Sequence, residues 1–254
     1  DHINAEQLQG LRAYASAMTP SQQLMAIEQM RDKKLGGMRG DIEATLEYHR
    51  VNSVLGKLLD SDGTTTIYDL FTEFGVTQQV QTMILDTATT IVDNKIRSAV
   101  RLSMDALKNA IITGWVAICG DSFFDKFIGH ANIKDKFLNW QAAAAYSGAH
   151  RAYGSFEYGG VTWYNYRGSV GGVTFVPSAK AYLFPLGARG LFVARFGPSD
   201  YIDRVNQIPS PDGLPIEARS WVTEDGKGVN IEVQSNPLFL CTKPRAVVEL
   251  KENT

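Results

Sequence analysis

Apolar positions recur at 24, 27, 30, 35, 38, 42, 46, 51 and 55, mostly three to five residues apart. That spacing lays one apolar stripe along a helix. Thr19 is placed to cap it, Pro20 falls in the first turn where proline is tolerated, and Gln22 stands three past the cap, as a capping box asks. Unbroken from Pro20 to about Asn52, such a helix is roughly 50 Å long at about 1.5 Å per residue. That is longer than a small domain is wide, so its own core cannot wrap it. Gly36-Gly37 lie mid-run and cost about 1 kcal/mol each against Ala, which makes them the candidate hinge. A long helix with a naked flank predicts a surface covered by copies of the chain or by a partner.

Residues 4–17 read as a short helix capped by Asn4. After Asn52 the pattern becomes strand-like. Val54–Asp60 and Thr64–Leu70 form two arms joined by Asp60-Ser-Asp-Gly63, a hairpin signal. Residues 77–108 read as helical in two pieces, with Val80, Ile84 and Leu85 as a short apolar edge and a longer helix from Thr87 to Lys108. The apolar run Ile111–Gly120 fits a central strand buried on both faces. Helices are expected over Phe123–Gly129 and Asn132–Ala145. From Tyr153 the character is β: a hairpin turning at Gly159-Gly160, strands at 173–177, 181–185 and 191–196, a Pro-rich loop at 206–219, and strands at 229–234, 237–242 and 246–250. The layout is α+β.

Composition changes this picture little. The chain has 254 residues, a net charge of −2 and a pI near 6.1, with no basic footprint for nucleic acid. No apolar run reaches the roughly 18 residues needed to cross a bilayer. Cys119 and Cys241 lie in apolar strand-like runs and read as buried thiols. The chain opens with Asp, not Met, and a preceding part is expected to have been cleaved, removed or left out.

A search for chemistry is thin. His2, His49, His130 and His150 share no metal-ligand spacing. Asp60 and Asp62 with Gly63 resemble the start of a calcium loop, but position 71 is Phe where the twelfth ligand should be Glu, so a turn is expected. Gly168–Gly172 fits neither G-x-S-x-G nor a phosphate loop and reads as a flexible loop. Arg189, Arg195 and Arg204 either grip an anion or form salt bridges between subunits, and the second use is favoured. No catalytic set, metal site or cofactor site emerges.

Three runs carry a resemblance: Val173–Gly187, Phe192–Arg204 and Gly228–Arg245, joined by Leu59–Gly63 and Tyr68–Gly75. Together they resemble the major capsid protein E family of lambda-like tailed phages and prophages. The resemblance implies the tailed-phage capsid fold: a spine helix at 19–53, a peripheral domain over 1–75, an axial domain over 76–220, and C-terminal strands over 221–254 returning to the peripheral domain. The family's N-terminal arm and extended loop should precede the spine, and this chain has little room for them. It implies a non-enzymatic structural protein assembling into hexamers and pentamers of an icosahedral shell around double-stranded DNA, contacted non-specifically. Scaffold, portal and decoration proteins are implied partners. The virion, and the host cytoplasm during assembly, are the implied locations. The competing readings are a soluble α+β enzyme or anion-binding protein, and an encapsulin-like compartment shell.

Overall fold

The computed structural model describes residues 2–4, 20–60, 62–108, 110–146, 155–201 and 214–253. Strand β1 (His2–Asn4) precedes the long helix α1 (Pro20–Leu55), 36 residues and about 54 Å at about 1.5 Å per residue. The helix expected over 4–17 lies outside the described residues, and Asn4, its expected cap, is instead paired with Gly228. Helix α1 runs uninterrupted through Gly36, Gly37 and Gly40, where a Cβ would meet nothing within 4 Å. Its stripe is buried only toward the C-terminal end. Leu46 and Val51 are buried, while Leu35, Met38 and Ile42 are half-buried. The side chains of Leu24 and Ile27 lie outside the description. Val54 and Leu55, expected in a strand, close the helix, and Gly56 at φ 83° ends it.

Strands β2 (Lys57–Leu59) and β3 (Thr66–Asp69) form the expected hairpin. Asp69 then caps the short helix α2 (Leu70–Glu73), accepting from the amides of Phe71 and Thr72. The next segment departs from expectation. Gln79–Thr82 is a strand, β4, lying parallel to Val248–Lys251, and helix α3 (Val92–Leu107) begins only at Val92. Four residues give a helical period nothing to act on, and sheet pairing decides instead. Just beyond, the Met83 amide donates to Lys251 O at 2.8 Å and the Leu85 amide to Glu252 O at 2.9 Å. Two residues thus oppose one, and Ile84 takes up the mismatch at φ 56°. The bulge keeps Met83 and Leu85 both buried.

Helix α3 ends at Lys108, which sits at φ 58°, ψ −113° and is exposed. That conformation suits glycine. Lys108→Gly is therefore expected to raise stability by about 1 kcal/mol, read from the denaturant midpoint at constant slope. An unchanged or lower midpoint would contradict the strain.

The chain continues through β5 (Gly114–Cys119), α4 (Asp121–Gly129) and α5 (Ala131–Tyr146). Strands β6 (Ser155–Tyr158) and β7 (Val161–Asn165) turn at Gly159 and Gly160, both at positive φ as a type I′ turn requires. A small hairpin follows, β8 (Ser169–Val170) and β9 (Val173–Thr174), again turning on two positive-φ glycines. Residues 168–172, expected as a loop, thus contribute a strand and its turn to this hairpin. Strands β10 (Lys180–Leu186), β11 (Phe192–Phe196), β12 (Glu217–Val222), β13 (Gly228–Gln234), β14 (Pro237–Cys241) and β15 (Val248–Lys251) complete the chain.

The chain forms two compact units. One comprises residues 1–46 and 194–238. It holds a three-stranded antiparallel sheet in the order β1-β13-β12, with Ile3 and Ile231 buried. Lys34 of α1 donates to the His2 carbonyl at 2.7 Å, tying helix to sheet.

The other unit comprises residues 47–193 and 239–254. Its six-stranded mixed sheet runs β4-β15-β10-β5-β7-β6. Helices α3, α4 and α5 contribute to one apolar cluster with Trp163, Phe156, Leu183 and Leu250 of the sheet. A second cluster joins Tyr48 and Val51 of α1 to Phe175, Val176, Tyr182 and Val247. Tyr166 donates to Glu47 of α1 at 3.0 Å, and burial followed by that carboxylate pushes its hydroxyl up to about 12.

Candidate functional site

Several of the side chains that suggested chemistry are engaged in holding the fold together. His130 is buried; its Nδ1 accepts from the Asn132 amide at 3.2 Å, so its Nε2 donates to Thr87 O at 3.1 Å. With Asn132 donating to Thr90 O at 2.7 Å, it pins the 87–90 turn to the start of α5. His2 lies 2.8 Å from the Asn230 side-chain oxygen. His49 is half-buried, and desolvation lowers its pKa. His150 lies outside the described residues.

Asp62 is occupied as a turn residue. One carboxylate oxygen accepts the amides of Thr64 and Thr65 at 2.8 Å each, and the other accepts the Thr65 hydroxyl at 2.6 Å. Those bonds hold the carboxyl well below its usual range and leave the 60–63 segment a turn rather than a cation loop. Cys119 and Cys241 are both buried free thiols, and burial pushes both up, Cys241 to about 11. Among the described residues no cluster of His, Cys, Asp and Glu is arranged to hold a metal, and no helix is long and apolar enough to cross a membrane.

The arginines do not converge. Arg189 lies exposed on the loop after β10, in the six-stranded unit. Arg195 lies exposed on β11, in the unit with the three-stranded sheet, and its Nη1 donates to the carbonyl of neighbouring Ala194 at 3.0 Å. Among the described residues neither makes an ion pair, and Arg204 lies outside them. A groove of about 370 Å³ is lined by Leu35, Arg39, Pro215, Ile216, Ala218 and Val233, and includes neither. Its one cation, Arg39, is paired with Glu43 at 2.8 Å. The groove is mostly apolar and holds no acid–base set.

What the surface does hold is exposed apolar side chains. Ile67 and Tyr68 of β3, Phe74 after α2, Ile111 before β5, and Leu186 and Phe192 around the Arg189 loop all face solvent. The run from Ile111 reads in sequence as a buried strand, yet the strand begins at Gly114 and Ile111 is 84% exposed. An apolar run does not reveal where its buried part begins. Large exposed apolar side chains suit contact with another macromolecule.

Comparison with known proteins agrees with that surface. Residues 1–252 match the family model described as phage major capsid protein E. The chain is 28% identical over 270 residues to the major capsid protein of Pseudomonas phage KPP10, spanning 99% of this chain and 74% of that one. It is 25% identical over 285 residues to the major capsid protein of Salmonella phage Felix O1, isolate Felix O1-VT1, with the same two coverages. In structure it is similar to a crystal structure described as a prophage capsid protein from E. coli CFT073, with a TM-score of 0.58 and 15% identity over 92% of this chain and 71% of that one, a likeness of fold. On the match to its family model from residue 1 to residue 252, the chain belongs to the phage major capsid protein E family.

Proposed function

We propose that this chain is the structural subunit of a tailed-phage or prophage head, assembling as hexamers and pentamers into an icosahedral shell that encloses double-stranded DNA. The observation that carries this is the family match over residues 1–252. The physical argument runs alongside it. Helix α1 is exposed or half-buried over residues 28–45, and exposed apolar side chains elsewhere need neighbours, which a shell supplies. A mildly acidic subunit avoids clamping packaged DNA through its phosphates. Scaffold, portal and decoration proteins are the further partners of this reading. The chain then resides in the virion, after assembly in the host cytoplasm.

In this reading α1 is the spine. The compact units divide at 46/47, 193/194 and 238/239. We therefore assign the unit of 1–46 and 194–238 to the peripheral domain, and the unit of 47–193 and 239–254 to the axial domain. Arg189, Arg195 and Arg204 serve contacts between subunits. Negative-stain microscopy of the chain co-expressed with its scaffold should reveal closed shells. A soluble monomer under all such conditions overturns the reading.

The spine is assigned its bend at Gly36-Gly37 when subunits rotate during maturation. Gly36→Ala and Gly37→Ala should each stabilise the chain by about 1 kcal/mol, because both sites are helical and open to solvent. The same changes should narrow the spread of helix-axis directions between subunit copies in a shell. A spine that is straight and identical in every copy refutes the hinge.

A further inference from the structure

Two surfaces of the six-stranded unit complement each other, and this inference rests on the shell reading above. The first is the β2–β3 hairpin, whose strands pair only with each other among the described residues. Residues 64–68 are all exposed, with Ile67 48% and Tyr68 49% exposed, and Phe74, also exposed, follows α2. A two-stranded hairpin is marginal alone, and its free edge is a template for another chain. Residues 57–73 carry Lys57 against Asp60, Asp62, Asp69 and Glu73, a net charge of −3.

The second surface lies where the chain enters β5 and leaves β10. The Thr113 amide donates to Leu186 O at 2.9 Å, and a Cβ on Gly187 would stand 2.6 Å from the Thr113 hydroxyl, so 111–113 and 186–187 lie side by side. Ile111 and Leu186 are exposed here, and Phe192, also exposed, packs edge-on against Phe184 at 5.7 Å. Residues 108–113 and 186–192 carry Lys108 and Arg189 and no acid, a net charge of +2. Each surface is an apolar centre with a charged rim, and the rims have opposite sign.

We propose that the hairpin of one copy docks on the Ile111–Leu186–Phe192 surface of a second copy, with Glu73 and its neighbouring acids facing Lys108 and Arg189. The two surfaces differ, so the contact is heterologous. Repeated head to tail it closes into a ring when the rotation between copies allows, which is the geometry a capsomer needs.

The test uses two variants of the chain that each gain one exposed cysteine, Ile67→Cys and Ile111→Cys, mixed and treated with a short bis-maleimide. The native thiols are buried and stay silent. A 67–111 crosslinked dimer is expected in the mixture and in neither variant alone. Adding Arg189→Glu to the Ile111→Cys chain should cut its yield several-fold, and adding Glu73→Arg to the Ile67→Cys chain should restore it. Equal crosslinking of Ile67→Cys with itself, or absence of the 67–111 product while the wild-type chain forms shells under the same conditions, overturns this contact and leaves the capsid reading standing. A chain that forms neither shells nor oligomers overturns the capsid reading and this contact with it.

Discussion

Trp163→Ala is expected to destabilise the six-stranded unit by about 4 kcal/mol, within the range for emptying a buried aromatic site. Trp163 is fully buried, in the middle of β7. Its ring centroid lies 4.2 Å from that of Phe127 and 6.4 Å from that of Phe123, so it links the sheet to α4. Its indole N–H donates to Tyr158 O at 3.1 Å across the β6–β7 turn. Alanine removes the ring, leaves a cavity between sheet and helix, and takes the indole donor from that carbonyl. The loss is a large fraction of what holds a domain together, commonly about 5–15 kcal/mol. Tyr164→Ala supplies the control. Tyr164 is the next residue on the same strand, points to the opposite face and is 39% exposed, so its loss should cost less than about 1 kcal/mol. Urea unfolding followed by far-UV circular dichroism reads both. Equal costs for the two would mean that the alternation of β7 does not set the core.

How much of this fold is legible in the sequence depends on how local each signal is. The long helix is legible because its stripe repeats over many turns. The Gly159-Gly160 hairpin is legible because a two-residue turn demands positive φ at both positions, which glycine supplies. Strand β4 is not legible. Gln79–Thr82 has too few residues for a period, and its partner, Val248–Lys251, lies at the far end of the chain. The order of the six strands is hidden for the same reason, since β15 inserts between β4 and β10 from that distance. At the surface, Arg189 and Arg195 are legible as exposed charges, but their division between two units is not. Ile111 is misread outright, because apolar character alone does not separate a buried strand from the exposed approach to one.

Gly56→Ala should cost about 2–4 kcal/mol, the opposite sign to the same change at Gly36 or Gly37. Three features of Gly56 cause this. It lies at φ 83°, where a Cβ adds about 1–2 kcal/mol. It is buried, and the new Cβ would fall 2.3 Å from Cε2 and 2.7 Å from Cζ of Phe71, a clash that overpacks the site. Its carbonyl accepts the Leu70 amide at 2.9 Å, which locks the end of α1 to the start of α2. The residue therefore stops the spine and aims the β2–β3 hairpin at once, so an error here moves Ile67 and Tyr68 with it. Phe71→Leu separates the causes. The smaller side chain relieves the clash but leaves the backbone strain, so the double variant should recover about half of the Gly56→Ala cost in a double-mutant cycle. A Gly56→Ala chain as stable as the parent, or a double variant with no coupling, would mean that Phe71 does not hold the helix end. If the hairpin docks on a neighbour as proposed, Gly56→Ala should also lower the yield of the 67–111 crosslink at temperatures where the chain remains folded. Gly36→Ala, which touches nothing, should leave that yield unchanged.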